Sequence, residues 1–245
     1  EAGGILLDAE RAVRTATASA VQDLNALVEG RAGRVRLGAF ASAAAGVVPT
    51  ALANFRITHP NVRVTLSQLE TAASYARILR GELDLAVTFD YDRLPAAPPP
   101  GIRRTLATKD PVLVALPAAH PLAGREDLSL SDLADEAWIG TPVTGLQLGL
   151  LAELSLAAGF QPRLQFDGDD FQTILGLVDR GLGVALLPEL AMLLAPTSVV
   201  ARPIRENPLT RFVYTARLDT RHTAIALAIF ERCLIETLQT VIADR

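Results

Sequence analysis

Residues 78–89 read Ile78-Leu79-Arg80-Gly81-Glu82-Leu83-Asp84-Leu85-Ala86-Val87-Thr88-Phe89, and the change of pattern inside them decides the fold class. Tyr75, Ile78 and Leu79 fall at helical spacing, and Gly81 closes that helix. Residues 84–89 then form a compact apolar strand followed by a polar turn. Upstream, Val62, Val64 and Leu66 alternate as a strand. Before His59-Pro60, where proline stops a helix, Val47, Val48, Ala51, Leu52 and Phe55 share one helical face. Earlier still, Val35 and Leu37 lie on one side of a strand over residues 34–40. Strand–helix–strand–helix–strand in this order predicts an α/β fold, a parallel sheet covered by helices.

The same logic runs forward. Residues 95–101 hold four prolines and read as a stiff surface loop, after which residues 111–116 begin a second apolar strand. Trp138-Ile139, a helix over 146–158, a strand at 163–166, a helix over 171–180 and a strand over 183–187 follow. Residues 199–204 and 212–216 are the last strand candidates. A helix over 221–242, with Leu227, Phe230, Leu234, Leu238 and Val241 on one face, closes the chain. The second half thus carries its own sheet. The outward crossing is expected near 106–112 and the return near 203–212. The expected lobes are residues 34–107 with 208–245, and residues 108–207, with a ligand-sized cleft between them.

The first thirty residues differ. Ile5, Ala9, Val13, Ala16, Ala20, Leu24 and Leu27 recur every three or four positions, which predicts a long amphipathic helix over residues 1–31. Its narrow stripe needs a partner, either the body of the domain or a second copy in a coiled coil.

Composition removes several classes of function. Half of the residues are hydrophobic, enough for a substantial core. With 23 basic against 27 acidic residues and a net charge of -4, the chain lacks the footprint of a nucleic-acid-binding surface. Lys109 is the only lysine, and the single cysteine, Cys233, rules out an internal disulfide and reads as a packed helical thiol. No secretory signal opens the chain and no apolar run approaches a membrane span, so a cytoplasmic location is expected. There is no phosphate-binding glycine loop with its lysine and no nucleophile elbow. His59, His120 and His222 are far apart, and two of them precede proline as turn residues do. No His/Cys cluster has metal-ligand spacing. Neither catalysis nor a cofactor is expected.

Four phrases in order carry a family resemblance: residues 33–39 (GRVRLGA), 79–87 (LRGELDLAV), 114–122 (VALPAAHPL) and 177–188 (LVDRGLGVALLP). Together they resemble the effector-binding domain of LysR-type transcriptional regulators from Arg34 onward. The resemblance implies a two-lobed, type II periplasmic-binding-protein-like fold. Residues 1–31 correspond to that family's linker helix, which pairs chains into homo-dimers and commonly homo-tetramers. Promoter DNA would be bound only through an N-terminal winged helix-turn-helix absent from this chain. The proline-rich loop and the bias to arginine over lysine resemble actinobacterial members. A transport-type solute-binding protein is the alternative for the same two lobes, but it would leave the long first helix unexplained.

Strand ends that lead into helices present free backbone N–H groups, and four such stations are readable. Ser42 and Ala43 form the first, Glu70 and Thr71 the second. Thr141, Val143 and Thr144, with Leu146 as an apolar wall, form the third, and Asp169, Asp170 and Phe171 the fourth. Asp90 and Tyr91 are expected as a side wall. Ser42 and Thr71 are each expected either as helix caps or as ligand contacts, and one of Asp169 and Asp170 as a cap. The expected effector is a modest organic molecule with one polar or acidic end and an apolar or aromatic body.

Overall fold

The computed structural model describes residues 14, 17, 32–140, 146–167, 170–206, 208–220 and 223–244. Of the expected first helix only Arg14 and Thr17 are described, both helical, and the rest of that expectation lies outside the described residues.

The first half is built from β1 (Ala32–Ala39), α1 (Ala41–Gly46), α2 (Val48–Thr58), β2 (Asn61–Gln68), α3 (Thr71–Leu79) and β3 (Leu85–Tyr91). The helical face expected at residues 47–55 belongs to α2, and a separate short helix, α1, precedes it. Pro49 has no N–H to return to the preceding turn, so α1 cannot run on, and the chain breaks at Val47 before α2 starts with that proline in its first turn. β1 pairs in parallel with β2 over its full length and with β3 over Leu37–Ala39. Gly81 takes a positive φ of 68° just past α3, while the Glu82 amide donates to the Arg77 carbonyl at 2.9 Å. That left-handed stop turns the chain straight into β3.

β4 (Ile102–Pro117) is one uninterrupted strand of 16 residues, not the separate second strand expected from residue 111. Its first part, from Ile102 to Val112, pairs antiparallel with β9 (Leu209–Leu218), with a bulge between Leu106 and Thr108. Its last part pairs with β7 (Ala185–Pro188) and β8 (Val199–Pro203). β9 also pairs antiparallel with β3, giving the order β2-β1-β3-β9-β4-β7. A parallel pair, β5 (Ala137–Gly140) and β6 (Arg163–Asp167), is bridged from Trp138 to Val184, the residue just before β7. α4 (Leu146–Ala157) and α5 (Phe171–Asp179) belong to this second half, and α6 (Ile225–Ala243) ends the chain.

α6 returns to the first half. Its Phe230, Leu234 and Leu238 are completely buried, and Phe230 meets Phe55 of α2 edge-on at 4.9 Å. Each such side chain stabilises the fold by about 1.5–3 kcal/mol relative to exposure. The opposite face of the first sheet carries α3, packed through Tyr75 and Ile78 on Ala86, Ile102 and Ala216. The largest apolar cluster extends from Leu37 and Phe55 through the crossing to Leu128, Trp138 and Leu154. α1 also approaches the 3-10 turn Glu189–Leu194 so closely that a Cβ on Gly46 would stand 2.6 Å from Leu193. A second cluster, around Ile174, Val178, Leu187 and Met192, fills the far side of the second half.

Candidate functional site

The antiparallel register of β4 and β9 sets Asp110 directly opposite Arg211. Both are withdrawn from solvent, at 0% and 2% exposure. Arg211 donates from Nε to Asp110 Oδ2 at 2.8 Å and from Nη2 to the same oxygen. Asp110 Oδ1 accepts the Leu190 amide at 3.0 Å, so the carboxylate also fixes the 3-10 turn of the second half. The guanidinium lies over the rings of Phe40 and Phe89, 4.6 and 5.1 Å from their centroids. Its Nη2 donates further to Ser42 Oγ at 2.9 Å. Arg211 therefore gathers the end of β1, the end of β3 and both crossing strands around one positive charge.

Two expected stations meet here. Ser42 is the second residue of α1 rather than its cap, a place held by Phe40. Ser42 is 1% exposed and its hydroxyl accepts from Arg211, with Ala43 fully buried beside it. Glu70 caps α3 through its backbone, without a side-chain bond. Burial pushes its carboxyl above the ordinary glutamate range, and the charge of Arg211 opposes that rise. Thr71 is not the cap either. Its hydroxyl donates to the Phe89 carbonyl at 3.3 Å and accepts the Phe89 amide at 3.1 Å, pinning the start of α3 to the end of β3.

Successive side chains of β3 face opposite sides. Phe89 and Tyr91 lie on the side of Phe40, at ring distances of 4.9 Å from Phe40 to Phe89 and 5.8 Å from Phe89 to Tyr91. Thr88 and Asp90 face α3 and Arg104 instead. Asp90 Oδ2 accepts Arg104 Nη1 at 2.8 Å and the Ala96 amide at 3.3 Å. A cavity of about 450 Å³ opens beside the end of β3 and the start of α3, with Glu70, Thr71, Tyr75, Phe89, Asp90 and Tyr91 in its wall.

The other expected residues are placed less completely. Thr141, Val143, Thr144 and Asp169 lie outside the described residues, and Leu146 begins α4. Asp170 is the cap of α5, with its carboxylate accepting the amide and hydroxyl of Thr173, each at 2.8 Å. Those bonds hold it below the ordinary aspartate range. Phe171 packs half-buried against the Ile174–Met192 cluster. The structure thus brings together Ser42, Ala43, Glu70 and Thr71, and it adds Arg211 and Asp110, which sequence reasoning missed. A signal for them existed: opposite charges stand inside the two windows expected as crossings.

Among the described residues no three or more His, Cys, Asp or Glu side chains are grouped to hold a metal ion. No described helix is long and apolar enough to cross a membrane.

The sequence profile of the LysR substrate binding domain matches residues 29–239. The HTH-type transcriptional regulator TtuA of Agrobacterium vitis is 33% identical over 172 residues, covering 69% of this chain and 55% of that protein. The chain thus spans about half the length of that relative. The crystal structure of the C-terminal domain of a probable LysR family transcriptional regulator from Rhodococcus sp. RHA1 superposes with a TM-score of 0.68 at 26% identity, over 83% of this chain and 98% of that one. The effector binding domain of QuiR in complex with shikimate shares the fold, with a TM-score of 0.67 at 24% identity, over 85% of this chain and 98% of that one. These matches give the α/β architecture its place as a type II periplasmic-binding-protein-like fold. The chain belongs to the LysR substrate binding domain family.

Proposed function

We propose that this chain is the effector-sensing part of a LysR-type DNA-binding transcriptional regulator, binding a small organic molecule in the cleft between its two lobes. The observation that carries the reading is the convergence on Arg211 of Ser42, the Glu70 station and both crossing strands. The shikimate-bound QuiR domain supports it as an instance of this fold holding a small organic effector. The lobes are residues 34–107 with 208–245, and 108–207. Ser42, Ala43, Glu70 and Thr71 form one wall of the effector site. Thr141, Val143, Thr144, Leu146, Asp169, Asp170 and Phe171 form the other, and Asp90 and Tyr91 form a side wall. The effector has one polar or acidic end and an apolar body.

The domain performs no catalysis and holds no cofactor. It works in the cytoplasm as a homo-dimer or homo-tetramer, with promoter DNA held by a winged helix-turn-helix outside this chain. A ligand acts by binding one lobe arrangement better than the other, which shifts the packing between sensor domains. Calorimetry of the chain against metabolite pools tests the assignment, with Ser42→Ala and Thr144→Ala as controls. Both substitutions are expected to weaken binding, and unchanged affinity in both rejects the pocket.

A further inference from the structure

Arg211, Asp110, Arg104 and Asp90 settle their charges among themselves. Arg211 is engaged by Asp110 and Ser42 and is 2% exposed, which leaves it little surface to offer a ligand. Arg104 Nη1 donates to Asp90 Oδ2 at 2.8 Å, and the Tyr214 hydroxyl also bonds Asp90. Thr71 is committed as well, with its hydroxyl on the amide and carbonyl of Phe89.

Glu70 differs from all of these. It stands half-buried in the wall of the cavity of about 450 Å³ beside β3 and α3, a volume within the range of small-molecule sites. Its carboxyl makes no hydrogen bond among the described residues, and the one charge that acts on it is Arg211, which Asp110 already matches at contact. No basic residue lines the cavity, and with Asp90 offset by Arg104 the ionised Glu70 leaves a negative charge in excess. The stretches expected on the facing wall, residues 141–146 and 168–171, contain two aspartates and no lysine, arginine or histidine. A half-buried carboxylate without a donor is costly, and a charge-assisted hydrogen bond from a ligand relieves that cost. Ala72, Leu94 and Pro99 supply apolar surface in the same cavity.

We propose that Glu70 selects the effector and that the effector is an organic cation, an amine on an apolar body, with its N–H groups on the Glu70 carboxylate and its body along Ala72, Leu94 and Pro99. The proposal rests on the reading of the cleft as an effector site and narrows it: the polar end is basic, not acidic. A carboxylate end would meet Glu70 and Asp90 with no uncommitted cation among the residues that line the cavity.

Benzylamine, benzyl alcohol and benzoate carry one ring with a cationic, a neutral and an anionic end, and amide shifts of Thr71, Ala72 and Phe89 report their binding to the chain. Benzylamine is expected to bind at least about tenfold more tightly than benzoate, with benzyl alcohol between them. Glu70→Gln keeps the size of the side chain and removes its charge. It is expected to weaken benzylamine at least about tenfold and to change benzyl alcohol less than about twofold, which also shows that the cavity of the variant is intact. Benzoate binding as tightly as benzylamine, benzylamine unaffected by Glu70→Gln, or both probes weakened equally overturns the role of Glu70 while leaving the effector site standing. No shift of these amides with any of the three probes overturns it too, and the effector reading is then decided by the calorimetry of Ser42→Ala and Thr144→Ala.

Discussion

Replacing Asp110 with alanine strips the buried guanidinium of Arg211 of its counter-charge. In the native chain Asp110 takes Nε at 2.8 Å, Nη2, and the Leu190 amide at 3.0 Å. After the change, Ser42 Oγ is the one remaining acceptor recorded for Arg211 among the described residues, and the Leu190 N–H loses its partner. Breaking one side of a buried ion pair costs about 3–5 kcal/mol, because the surviving charge stays out of water. For a domain of this size that corresponds to a fall in Tm of roughly 6–20 °C. Asp110→Asn keeps an oxygen for Leu190 and is expected to cost less. The double variant Asp110→Leu with Arg211→Met removes both charges and is expected to recover most of the loss, to within about 1–2 kcal/mol of the parent. Urea unfolding is followed by the fluorescence of Trp138, the only tryptophan, and by far-ultraviolet circular dichroism, with coincident transitions required. A single-variant cost below about 1 kcal/mol, or a double variant as unstable as Asp110→Ala, refutes the reasoning.

Two further outcomes follow from local geometry. Burial keeps the Glu70 carboxyl above its ordinary 4.5, against the pull of Arg211, so the folded chain holds that proton more tightly than the unfolded chain does. Stability is therefore lost as pH rises past 4.5, and Glu70→Gln is expected to melt higher than the parent at neutral pH. That advantage should close as pH falls toward 4.5, and paired melts at several pH values show whether it does. A Cβ at position 183 would stand 2.6 Å from the Ala137 carbonyl, which accepts the Val184 amide at 2.8 Å. Gly183→Ala is expected to cost about 1–3 kcal/mol and to speed hydrogen exchange at Val184, whereas unchanged exchange would show that β5 and β7 yield easily.

What could be read from the sequence was mostly local. Val35 and Leu37 in β1, the apolar run of β3, and Phe230, Leu234 and Leu238 in α6 repeat with the period of their element, because each buries one face against a neighbour. The continuity of β4 was hidden. Lys109-Asp110-Pro111 resembles a boundary, and only a partner 101 residues away makes a buried aspartate tolerable inside a strand. Caps were misplaced by one or two residues at Ser42 and Thr71, where the helix begins on backbone geometry without help from a side-chain oxygen. The facing of Asp90 was readable after all. Alternation from Thr88 sends it to the α3 side, and Asp90 and Tyr91 still line one cavity at the end of β3.

The strand that completes the first sheet is also nearly the last to be made. β3 has no outer neighbour until β9, and Asp110 has no counter-charge until Arg211, 101 residues later in the chain. On a ribosome, the opening half must therefore wait for the intervening half to emerge, with an apolar strand edge and an uncompensated acid in the open. Contacts of such long sequence separation make folding slow and leave the nascent chain prone to sticking. Synthesis of this domain is thus expected to lean on a holding chaperone more heavily than its finished stability would suggest.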